Sequence, residues 1–140
     1  MNLKAGATFG NEEKVVRVVW DFAKDGGAVG ALDILEADDD LLITGFATVV
    51  KTAVTSTGNL TLAVGPTGAL TKFLTAAQGA KANLTEGAAL FPLETSGEND
   101  ESWSSTLPHK LAKGEKIVQT IGTEVANAGK VEYIIKYVRA

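Results

Sequence analysis

The chain has no cysteine, one histidine and one methionine, and only three of its 140 residues are proline. Without cysteine there is neither a disulfide framework nor a thiolate metal site, so the fold must rest on its own apolar core. A chain of this length can close one such core unaided. A single histidine rules out the H-E-x-x-H zinc motif and leaves the histidine-rich metal set of a cupin-like enzyme unfilled. No apolar run approaches the roughly 18 to 20 residues that a membrane-spanning helix needs. The opening "MNLKAGATFGNEEK" lacks the apolar centre of a signal peptide. The expectation is a protein made in the cytoplasm that works there or is carried out within an assembly, with no membrane partner. Clustered Lys and Arg are also missing, and the net charge is −4. A nucleic-acid partner is therefore not expected, because binding one requires a cationic footprint that displaces counterions.

What the chain does have is ordinary for a globular domain: 45% hydrophobic and 21% charged residues, with 15 glycines to make turns. Residues 1–13 are polar, without periodicity, and read as an N-terminal arm; residues 14–140 read as a single domain. In "KVVRVVWDFA", Val16, Val18, Trp20 and Phe22 alternate with Arg17, Val19 and Asp21, which is the period of a strand. Asp25-Gly26-Gly27 breaks it. "ALDILEA" is short and flanked by turns, favouring a strand over a helix. "LLITGFATVVKTAV" is rich in β-branched residues, with Gly45 marking a bend or bulge. "LTLAVG" sets Leu60, Leu62 and Val64 on one face.

The spacing of Leu70, Phe73, Leu74 and Ala77 predicts one short helix near residues 69–78, ended by Gly79. "AALFPL" reads as an edge strand because of Pro92. "KIVQTIGTEV" and "KVEYIIKYV" read as the arms of a hairpin around "ANAG", with Gly129 at a positive φ. Seven or eight short strands, glycine-rich turns and one brief helix predict an all-β, mainly antiparallel sandwich, of which a jelly roll is one form.

The densest knot of reactive side chains is Asp38-Asp39-Asp40, after Glu36. A calcium loop places its ligands at alternate positions around a glycine, with a bidentate acid further on. Here the acids are contiguous and leucines follow. Asp also tolerates turn conformations and caps its own backbone. The favoured reading is a solvated bend that lets "ALDILEA" pair with "LLITGFATVV", and no metal is assigned. His109 in "LPHKL" has no nucleophile elbow beside it, and G-x-S-x-G is absent from the sequence. Gly129-Lys130-Val131 lacks the Walker spacing and its Ser or Thr. Asn59-Leu60-Thr61 and Asn83-Leu84-Thr85 match a glycosylation sequon but come without a secretion signal. Trp103, in the polar stretch "ETSGENDESWSST", is open to three readings: a sugar-stacking platform, an anchor for a neighbouring subunit, or a plug in the end of the sandwich. No catalytic, cofactor or metal residues are therefore assigned, and no enzyme is expected.

Two segments, "DILEADDDLLITGFATVVKTAVTSTGNLTLAVG" (residues 33–65) and the closing "AGKVEYIIKYVRA", resemble small structural proteins of tailed bacteriophages, some of them similar to capsid decoration (cement) proteins. The resemblance implies a β-sandwich protomer, often a trimer, on the outer surface of the virion. Its partner there is the major capsid protein, whose subunits it holds together. A head-fibre, tail or carbohydrate-binding sandwich module is the alternative on sequence grounds.

Overall fold

The structure, a computed structural model, describes residues 12–92 and 107–140. Most of the expected N-terminal arm and the whole stretch around Trp103 lie outside the described residues. The elements are β1 (Lys14–Asp21), α1 (Phe22–Asp25), β2 (Gly30–Glu36), β3 (Leu41–Thr55), β4 (Thr61–Pro66), a 3-10 turn (Lys81–Asn83), β5 (Ala89–Leu90), β6 (His109–Leu111), β7 (Lys116–Gly122) and β8 (Ala128–Arg139). All named strand pairings are antiparallel. One sheet runs β1-β8-β3, with β5 and β6 following one another along the far edge of β3, and the other runs β2-β7-β4.

Alternation in the sequence explains which face of each strand turns inward. Val131, Tyr133 and Ile135 of β8 are fully buried, and in β1 Trp20 is 2% exposed with Val16 and Val18 packed against the same core. The Trp20 indole N–H donates to the Gly26 carbonyl at 3.0 Å, so its one polar group is not left unpaired in the core. Gly45 sits at a register shift in the β3–β8 pairing, as its place in a long β-branched run predicts.

Three expectations from the sequence are corrected. The helix near residues 69–78 does not form; the helix of the described chain is α1, a single turn capped by the Asp21 side chain. Residues 67–80 instead run as successive turns whose backbone bonds to β4: Val64 N–H to the Leu74 carbonyl, Phe73 N–H to the Val64 carbonyl, and Leu62 N–H to the Gly79 carbonyl. Leu84 and Ala88 then accept from Val54 and Val50 of β3. This stretch thus closes the sandwich along its β3/β4 side. The apolar spacing that resembles a helical stripe comes from Phe73 and Leu74 reaching the core while Leu70 stays 43% exposed.

The second correction concerns "LEADDD". β2 pairs with β7 and β3 pairs with β8, in different sheets, so the bend is a crossover between layers and not a hairpin. The third is its counterpart at the other end of the chain. β7 and β8 also lie in different sheets, joined by residues 123–127, with Thr123 at φ 73 and Gly129 at φ 145.

Candidate functional site

The aspartate bend is held by bonds that run in separate directions. Asp39 pairs with the Arg139 guanidinium, and its other carboxylate oxygen accepts from the Asp40 N–H at 2.8 Å. Asp40 accepts from the Lys113 N–H at 2.9 Å, and its carbonyl accepts from the Ala140 N–H. Ala37 beside them is buried and bonded to the Gly114–Glu115 turn. The acids therefore knit a crossover to the last strand and to the turn before β7. Among the described residues no three acid or histidine side chains converge on one point.

His109 lies on β6 opposite Ile43. Its Nδ1 is 3.1 Å from the Lys72 ammonium, and its ring meets Phe73 edge-on with centroids 5.8 Å apart. Burial, then the Lys72 charge, lower its pKa, with Glu115 opposing. The imidazole is thus a neutral acceptor for Lys72 and a packing partner, with no hydroxyl in contact among the described residues.

The buried polar groups lie at the centre of the sandwich. Tyr133 of β8 donates its hydroxyl to Gln119 Oε1 of β7 across the interface between sheets. Both side chains are fully buried, and burial pushes the Tyr133 phenol well above its usual pKa, so it stays a neutral donor. Gln119 Nε2 has no partner among the described residues. Tyr133→Phe would strip the remaining bond and leave the whole amide unpaired, a cost of about 1–3 kcal/mol. Adding Gln119→Met to that variant removes the stranded amide and should recover much of the loss. Urea unfolding of both variants checks this: a double variant no more stable than the single one would mean the pair is not coupled.

On the outer face of the five-stranded sheet, the Gly45 bulge, Ala47, Ile134 and the exposed Phe91 enclose a groove of about 400 Å³. It is mainly apolar, with Glu13 and Lys136 on its rim. Glu13 also accepts a bond from the Thr44 hydroxyl at 2.6 Å, which fixes the chain entering β1. Among the described residues, none of these sites assembles a nucleophile with a base. The features that stand out are surfaces, and sequence reasoning missed them. The signal was present in β1, where valines occupy outward as well as inward positions.

No family model and no curated protein matches the sequence. The fold, in contrast, has counterparts in solved structures of bacteriophage capsids. A chain in the cyanophage Pam1 capsid asymmetric unit superposes with a TM-score of 0.59 at 19% identity, covering 94% of this chain and 88% of that one. A chain in the acid-stable capsid of the Helicobacter pylori bacteriophage KHP30 gives 0.60 at 10% identity, covering 91% and 89%. The chain thus shares its fold, over nearly its whole length, with chains of two phage capsids.

Proposed function

We propose that this chain is a non-enzymatic structural protein of a bacteriophage virion, and specifically a decoration protein on the outside of the capsid. The observation that carries the reading is the shared fold with chains of two phage capsids, over more than nine-tenths of the sequence in each case. The segments at residues 33–65 and at the C-terminus resemble small phage structural proteins, some of them similar to decoration proteins, and so support the finer part of it. The charge of −4 without a basic cluster suits a position away from packaged DNA.

The physical role would be to bridge major capsid subunits against internal pressure. A trimer suits such bridging, because three modest contacts made at once raise overall affinity by roughly 10²–10⁴ over one contact. Trp103, the platform that a carbohydrate-binding reading would use, lies outside the described residues, and no other observation favours that reading.

The test is to add the purified chain to heads from a phage lacking its gene and to image them by cryo-electron microscopy. Density is expected on the outer shell between capsomers, together with a raised temperature of genome release. Density confined to the tail, or no binding to heads, would overturn the assignment.

A further inference from the structure

The two sides of the sandwich are finished differently. On the β3/β4 side, residues 73–88 bond to both free strand edges. On the opposite side, β1 and β2 end their sheets, and among the described residues no strand pairs with either outer edge. Among the described residues, four of the seven exposed large apolar side chains, Val15, Val19, Val29 and Leu32, lie along these two strands and the link between them. Leu32 faces the core through its pairing with Gln119, yet it remains 38% exposed because none of the described residues covers the mouth between the sheets. A cavity of about 160 Å³ opens there between Val18 and Trp20 on one strand and Leu32 and Ile34 on the other.

We infer that this open side is where copies of the chain join one another, with β1 of one copy laid antiparallel against β2 of the next. The inference deepens the reading above by naming the contact between copies, and it does not depend on what the assembly then binds.

The backbone supports this pairing from both strands. Asp21 gives its N–H to the Asp25 carboxylate and not to β8. Backbone groups in an antiparallel strand alternate between its two edges, so those of Val15, Arg17 and Val19 also point away from β8. In the other sheet, Leu62 and Val64 bond outward to Gly79 and Leu74. Ile121 and Gln119, which lie opposite them, therefore bond to Gly30 and Leu32 of β2. That leaves Ala31 and Asp33 with their groups on the open edge.

β1 and β2 follow one another through a tight connection and run in opposite directions. Rotation about an axis parallel to the strands preserves those directions, so it sets β1 of one copy antiparallel to β2 of its neighbour. This holds whether two or three copies close the ring. One register then places Arg17 opposite Asp33 and Val19 opposite Ala31. All four project from the outer faces, and all four present free backbone groups to each other.

Charge selects this pairing over the self-pairing of like strands. β1 carries Lys14 and Arg17 against one acid, whereas β2 carries Asp33 and Glu36 and no cation. β1 against β1 would bring Arg17 side chains together, and β2 against β2 the aspartates, and like charges in cross-strand contact are destabilising. The present partners of Arg17 and Asp33, Glu132 and Lys116, are surface ion pairs that can be shared with a neighbour at little cost.

The absence of cysteine makes the test direct. Arg17→Cys and Asp33→Cys proteins are made separately, mixed and oxidised gently. A disulfide-linked pair is expected in the mixture and not in either protein alone. Cross-linking of Arg17→Cys by itself at a rate equal to the mixture, or no cross-link in the mixture, would overturn the inference.

Light scattering supplies the second measurement. The wild type is expected at a multiple of its 14.6 kDa protomer. Val19→Glu should fall to monomer with an unchanged circular dichroism spectrum, whereas Val125→Glu, at a valine exposed elsewhere, keeps the assembled mass. A monomeric wild type would sink the inference even if heads bind the chain. A dimer would support it while removing the trimer from the functional reading.

Discussion

Gly79→Ala is expected to destabilise the protein by on the order of 3 kcal/mol or more, from one added methyl group. A Cβ at Gly79 would overlap the Leu62 carbonyl oxygen and lie 2.7 Å from its carbon. Both are backbone atoms of β4, so no side chain can rotate away to make room. The same contact carries the bond from Leu62 N–H to the Gly79 carbonyl, so relief by separation breaks the bond that seals the β4 edge. Gly68→Ala is the control. There φ is 90 and the added Cβ meets open space, so only the left-handed backbone penalises alanine, by about 1–2 kcal/mol. Denaturant midpoints of the two variants decide the matter. Equal losses would mean that the cover over β4 yields readily and does not hold that edge.

The same stretch shows where the sequence stops being legible. Strand identity was readable because alternation and β-branching act locally: Val16, Val18 and Trp20, or Val131, Tyr133 and Ile135, mark their inward faces by themselves. Pairing was not readable. "ALDILEA" and "LLITGFATVV" are separated by a bend that would serve a hairpin equally well. The layer each joins is set by distant partners, β7 at residues 116–122 and β8 at 128–139.

Residues 69–78 failed for a related reason. Helical spacing at Leu70, Phe73, Leu74 and Ala77 is a real periodicity, but a competing set of backbone partners on β4 captured Phe73, Leu74 and Gly79. Only Gly79 keeps the i→i−4 bond of an α-helix, from its N–H to the Thr75 carbonyl. Tertiary bonds to an open strand edge outweigh the weak preference of a two-turn helix.

The aspartates were legible as a bend between two strands, but their engagement with Arg139 and Lys113 depends on contacts across the chain. The outward valines of β1 were legible in principle. A strand with "VVRVV" cannot bury both its faces in a two-layer sandwich, so Val15 and Val19 announce an unpartnered surface once the inward set is fixed.

Phe73→Ala should carry the other large loss, about 3–5 kcal/mol, although the residue sits in no helix or strand. Its side chain is 1% exposed and stacks on Phe46 with ring centroids 4.9 Å apart and planes inclined by 23°. Phe46 in turn approaches Tyr133 at 6.0 Å, so the ring links the covering stretch to the centre of the five-stranded sheet. Truncation removes those contacts from a site whose backbone, through Phe73 and Leu74, is pinned to Val64 by three bonds and cannot collapse inward freely. Phe73→Leu fills most of the space and should lose markedly less. A second readout separates lost packing from general loosening. Phe73 lines the His109 ring edge-on, and burial is the main cause of the lowered His109 pKa. Removing the ring admits water, so in Phe73→Ala the histidine should titrate closer to its ordinary value, as followed by the His109 proton shifts in NMR. A Phe73→Ala protein that unfolds at the wild-type denaturant midpoint, with His109 titration unmoved, would show that the turns of residues 67–80 are a loose covering and not part of the core.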